Sequence, residues 1–198
     1  FLFFSLPAVF MEVTMKEYKI AIIGSRETPE DVMQEMLETL REGFRILRKK
    51  GYTITTRSGG CYKGPDQLQF MLARTKDVKS VCYLPDEKKM WLGKIHPKVE
   101  FRYIPQDVQY RAVVASLHPN PDKLSPIAWA LHGRNLNIIA GDRLDEPVDA
   151  VYYFSDHDKH GNAKGGTAMG VKYAKSIDVP CYYHTADRDK WLESLRLL

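Results

Sequence analysis

Two rhythms of apolar and polar positions alternate along this chain. "YKIAIIG" (18–24) is nearly unbroken and rich in β-branched residues, the pattern of a strand covered on both faces. Apolar residues then recur at helical spacing through Val32, Met36, Leu37, Leu40, Phe44 and Leu47, until Gly51. A helix is predicted there, with Thr28 as N-cap and Pro29 in its first turn. "YTITT" reads as a second strand, followed by a glycine-rich turn and a short helix in "DQLQFMLA". "VKSVCYLP", "PVDAVYYF" and "VPCYYH" supply three more strands. "GGTAMGVKYAKSI" reads as a glycine-led helix. "DRDKWLESLRLL" closes the chain as an amphipathic helix with Trp191, Leu192, Leu195 and Leu198 on one side.

Strand and helix alternating through short links predict an α/β fold, a mainly parallel sheet with helices on both faces. Between 86 and 126 the pattern breaks down. A Lys-rich start, His96-Pro97, Pro105 and "HPNPDKLSP" predict an irregular elaboration with one or two helices rather than a separate domain. Residues 15–198 thus read as one domain. The apolar start "FLFFSLPAVF" is too short to span a bilayer and lacks a basic leader region, so residues 1–14 read as upstream or disordered sequence. No other segment is apolar enough for a membrane span.

Composition changes this picture little. With 198 residues, 44% hydrophobic and 27% charged, the chain is ordinary for a globular protein. A net charge of +4 fits a nucleotide or nucleic-acid partner without requiring one. Cys82 and Cys181 fall in apolar strand-like runs and read as small buried hydrophobes in a reducing, cytoplasmic compartment. Cys61 lies in the glycine turn and is the one thiol to test for reactivity.

The chemistry concentrates in three glycine-bearing loops at predicted carboxyl ends of strands. They are "GSRETP" (24–29), "SGGCYKGPD" (58–66) and "GNAKGGTAMG" (161–170). In open parallel sheets ligands bind at that edge. Helix N-termini there expose unpaired amides, and glycine lets an anion reach them. Arg26 adds a planar fork suited to phosphate or carboxylate. None of the loops is a full G-x-G-x-x-G or Walker fingerprint, so no dinucleotide or other cofactor is expected. His157 and His160, three apart in a polar loop, read as solvated rather than as metal ligands, and no metal is expected.

One further motif points to a family. "ALHGRNLNIIAGDRLDEPVDAVYYF" sets Arg134-Asn135 ahead of a buried strand. With "GSR", "SGG…G.D" and "GGTA…A", it resembles the DNA-processing protein A (DprA) family. That family belongs to the Rossmann-like SLOG group, together with the LOG enzymes and the YspA/YpsA-type proteins. The likeness runs over about residues 19–183, least well in the irregular middle. It implies a Rossmann-like fold and a pocket for nucleotide or single-stranded DNA phosphates. That pocket would be lined by Gly24, Ser25, Arg26, Ser58, Gly59, Gly60, Gly64, Asp66, Arg134, Asn135, Gly165, Gly166 and Thr167. It also implies a single-domain form of the kind found in phages and mobile elements, with a part in DNA processing or recombination.

The LOG enzymes, which cleave a nucleotide N-glycosidic bond, carry a "PGG-x-GT-x-x-E" motif. Here Lys164 replaces the proline, and no glutamate stands at the motif's spacing. Three readings follow: a DprA-like binding protein without catalysis, a nucleotide N-glycoside hydrolase or transferase, and a nucleotide-signal sensor. Asp66 has a competing reading as a helix cap. Alternate members of Tyr152, Tyr153, Tyr182 and Tyr183 are expected to pack in the core. Trp129 is a stronger candidate for base stacking, and Lys88, Lys89 and Lys94 could form a basic rim. Self-association into a homo-oligomer stays open.

Overall fold

The apolar run at 18–24 becomes the centre of a six-stranded parallel sheet. The computed structural model describes residues 15–86 and 96–198. Its elements run β1 (Lys16–Gly24), α1 (Glu30–Lys49), β2 (Tyr52–Gly59), α2 (Leu68–Leu72), β3 (Val78–Leu84), β4 (Val99–Tyr103), α3 (Val108–Leu117), α4 (Pro126–Ala140), β5 (Ala150–Phe154), α5 (Gly165–Ser176), β6 (Cys181–Tyr183) and α6 (His184–Leu197). Single 3₁₀ turns occupy Pro65–Gln67 and Pro121–Lys123.

The strand order is β4-β3-β2-β1-β5-β6, and every pairing is parallel. Register sets Ile20 opposite Ala150 on one side of β1, and Ile20 opposite Thr56 on the other. The chain walks outward from β1 to β4, then crosses back to place β5 against β1. This is a Rossmann-like arrangement with its change of winding direction between β1 and β5, where the carboxyl ends of two neighbouring strands leave a crevice.

Alternation along β1 explains why its apolar run is continuous. Tyr18, Ile20 and Ile22 join a core with Met36, Leu40, Phe44 and Leu47 of α1, Leu68 and Leu72 of α2, and Trp191 and Leu195 of α6. Ala21 and Ile23 join the opposite core with Tyr110 and Val114 of α3, Leu136 and Ile139 of α4, and Met169 and Tyr173 of α5. Because both sheet faces are covered, Tyr152 and Tyr153 are both buried, whereas only alternate tyrosines were expected inside. Tyr182 and Tyr183, on the edge strand, are half-buried, as is Cys181.

Several local expectations are corrected. Pro29 occupies the N-cap of α1 and makes no side-chain cap. The Thr28 hydroxyl instead donates to the Ser25 carbonyl at 2.6 Å. Leu198 is 52% exposed, so the buried stripe of α6 stops at Leu195. The irregular middle contributes β4, which extends the sheet beside β3, as well as α3. Asp107 caps α3 by accepting from the amides of Gln109 and Tyr110. No helix among the described residues is long and apolar enough to cross a membrane. Residues 1–14, Lys88, Lys89 and Lys94 lie outside the described residues.

Candidate functional site

The β1–α1 loop leaves the sheet at Gly24 and is tied down at once. The Ser25 amide donates to the Phe154 carbonyl at 2.9 Å, fixing this loop to the end of β5. Ser25 Oγ accepts from the Glu27 amide at 3.1 Å, and Arg26 is left exposed beyond the turn. The loop after β2 packs directly on it. Gly64 sits at φ +77°, and a Cβ there would lie 2.3 Å from the Ser25 carbonyl oxygen. The two loops touch backbone to backbone at a point only glycine fits.

Ser58 and Gly59 belong to β2 rather than to the turn. Ser58 is fully buried, and its hydroxyl donates to the Ile22 carbonyl at 2.5 Å. At Gly59 a Cβ would stand 1.8 Å from Arg134 Nη1 and 2.6 Å from Asp66 Oδ2. The close approach that this glycine permits is therefore that of two buried side chains of the protein itself. Arg134 is held there by donating from Nη1 to the Tyr83 carbonyl at 3.1 Å. Its Nε is buried without a hydrogen-bond partner among the described residues.

Asp66 does not cap α2. Its Oδ2 accepts from the Cys61 amide at 3.1 Å and closes the loop on itself. Burial pushes the Asp66 carboxyl above the usual carboxylate range, while the Arg134 charge and the Cys61 amide pull it back down. The folded state thus holds the Asp66 proton more tightly than the unfolded chain, whose Asp titrates near about 3.9. Wild-type stability should fall as pH rises from about 4 through the folded-state pKa. Asp66→Asn keeps an acceptor for Cys61 and abolishes that loss. The melting temperature of the variant minus that of the wild type should grow between about pH 4 and pH 7. A difference constant with pH would count against the assignment.

Burial also raises the Cys61 thiol, so it is not poised as a thiolate nucleophile. Cys82 is pushed up to about 12 and is fully buried in β3.

On the far side of the crevice, α5 starts at Gly165 and Gly166 with no side-chain cap on its first turn. Gly165 has φ +64°, Gly166 does not have positive φ, and a Cβ on either would meet nothing within 4 Å. Helix α4 crosses between these parts. Asn135 Nδ2 donates to the Gly166 carbonyl at 3.1 Å, tying α4 to the first turn of α5. The side-chain amide nitrogen of Asn135, a candidate lining residue, is thus engaged by the protein itself.

These segments enclose a cavity of about 400 Å³. Of the candidates, Gly24, Ser25, Arg26, Gly60, Asp66, Arg134, Asn135, Gly165, Gly166 and Thr167 line it. Ser58, Gly59 and Gly64 do not; they hold the loops and Arg134 in place behind it. Further residues add to the lining. Ile23, Ala128, Leu131 and Ile138 give an apolar wall, and Glu27, Lys164 and His132 add polar groups. Burial, with the neighbouring His118 and Arg134, lowers the His132 pKa and favours the neutral imidazole. The α4 contributions were legible only as helical periodicity, since nothing local marks which face of α4 meets the crevice.

His157, one of the two loop histidines, packs edge-on against Tyr183 with ring centroids 4.0 Å apart. Among the described residues, no group of three or more His, Cys, Asp or Glu side chains could hold a metal ion.

Fold and cavity together define a Rossmann-like α/β protein with a ligand-sized site at its topological switch point. No protein-family model matches the chain, and no curated protein matches it.

Proposed function

We propose that this chain binds a nucleotide, free or at the end of a single strand of DNA, as its resemblance to DNA-processing protein A suggests. The observation that carries the reading is the uncapped, sterically open start of α5 at Gly165 and Gly166, facing the same cavity as Arg26 and an apolar wall. A phosphate fits the free amides and the positive end of the helix dipole. Arg26 supplies a second, bidentate contact. A base fits against Ile23, Leu131 and Ile138. The three features together call for a ligand with one flat, largely apolar end and one anionic end.

The reading is tested by calorimetric titration of nucleoside 5′-monophosphates into wild type and Arg26→Ala. Arg26 is exposed and unshielded, so its loss should weaken binding about five- to tenfold and flatten the salt dependence by about one ionic contact. Absence of binding to any nucleotide, or affinity indifferent to Arg26, would reject it.

A second reading, cleavage of the nucleotide's N-glycosidic bond, is favoured by one observation. Two carboxylates, Glu27 and Asp66, line the cavity, and Asp66 is disposed to hold a proton. Release of free base from the same panel of nucleotides would establish it.

A further inference from the structure

We propose that a second, smaller cavity next to the first is a subsite for a second base, joined through a phosphodiester to the nucleotide in the main cavity. This rests on the nucleotide reading above and extends it from one nucleotide to two. The second cavity has a volume of about 200 Å³ and lies where β4, α3 and the start of α4 meet. Pro85, at the end of β3, lines both cavities, so a single ligand can straddle it. At this size the space falls below the roughly 300–1,000 Å³ of sites that take whole drug-sized ligands. It suits one flat ring system.

The chemistry of its lining is specific. Tyr110 is committed elsewhere, since its hydroxyl accepts from Asn137 Nδ2 at 2.8 Å and reaches the Asp142 carbonyl at 3.3 Å. Gln106 Nε2 donates to the Ala130 carbonyl at 2.8 Å. What stays available is the exposed ring of Tyr103, the Trp129 indole and the exposed Arg111, whose guanidinium carbon lies 5.3 Å from the Trp129 ring centroid. Among the described residues, no carboxylate lines the cavity. A cation resting on an indole beside a second aromatic ring gives a stacking surface for a base and a counter-charge for the phosphodiester that leads to it. The same surface has little to offer a lone phosphate or an aliphatic ligand.

This also changes the part played by Trp129. It stands five residues before Arg134 on α4 and lines the second cavity, while Arg134 lines the first. The helix serves both cavities from different faces.

Two sources carry this ligand chemistry, a linear strand and a cyclic dinucleotide. Deoxyadenosine 5′-monophosphate, the 5′-phosphorylated linear deoxyadenosine dinucleotide and cyclic diadenosine monophosphate would each be titrated into the whole chain. Affinity would be read by calorimetry and stacking by tryptophan fluorescence. At least one of the two dinucleotides should bind about tenfold or more tightly than the mononucleotide and should quench fluorescence further. The gain should fall to about twofold or less in Arg111→Ala and in Trp129→Ala, with mononucleotide affinity unchanged in both. Arg111 is exposed, so its variant keeps the test sound even where Trp129→Ala folds poorly.

A gain confined to the linear ligand assigns a strand; one confined to the cyclic ligand assigns a signal molecule. Equal affinity for mononucleotide and both dinucleotides in the wild type would overturn the second subsite while leaving the first intact. A gain that survives both substitutions would do the same. Failure of all three ligands to bind would remove the nucleotide reading itself.

Discussion

Gly64→Ala should lower the melting temperature by roughly 5–15 °C, a loss of about 2–5 kcal/mol for a chain of this size. Two costs add. At φ +77° a Cβ costs about 1–2 kcal/mol in backbone strain. It would also sit 2.3 Å from the Ser25 carbonyl oxygen, and that backbone cannot swing aside as a flexible side chain can. Forcing such overlap costs about 1–3 kcal/mol more. Gly161→Ala separates the two terms. Gly161 has φ +78°, but a Cβ there meets nothing within 4 Å, so the variant should show the strain alone. If differential scanning calorimetry finds the two variants equally stable, the contact between the β1 and β2 loops is not holding the site together.

The opposite behaviour is expected at Gly166. Its φ is not positive and a Cβ has open space, so Gly166→Val should change stability by about 1 kcal/mol or less. Valine branches into the volume that the phosphate is proposed to occupy. Losing two charge-assisted hydrogen bonds from the α5 amides should weaken nucleotide binding about 100-fold or more. Melting temperature and affinity measured on one preparation decide the matter. Binding retained in a stably folded Gly166→Val protein would remove the α5 terminus from the site.

The contrast between these glycines marks how far the sequence could be read. Strands β1 and β5 were legible because they are buried on both faces, which demands an unbroken apolar run such as "IAII" or "AVYYF". The edge strand β4, "VEFRY", was not, because its charged residues interrupt the run and a proline-rich stretch follows. Glycine clustering at one sheet edge was also legible, but not the reason for each glycine. Gly59 and Gly64 are required by Arg134 and Ser25, partners dozens of residues away, and only the folded chain brings them together. Gly165 and Gly166 look the same in sequence and face open space. Likewise the lining from α4, Ala128 to Ile138, depends on the rotation of a helix whose residues near its C-terminus are buried almost all round. Apolar periodicity says little about which of its faces meets a crevice.

The edges of the sheet bear on how copies of this protein meet. On one side β6 is only three residues long, too short to template another strand firmly. On the other, β4 carries Glu100 and Arg102, which pair with each other at 2.8 Å, and Lys79 lies 3.7 Å from Glu100. A strand arriving from a second molecule would have to disturb these charges to continue the ladder. Runaway edge-to-edge growth is therefore disfavoured even at high protein concentration. Copies that touch at any other surface can separate again without unzipping a sheet.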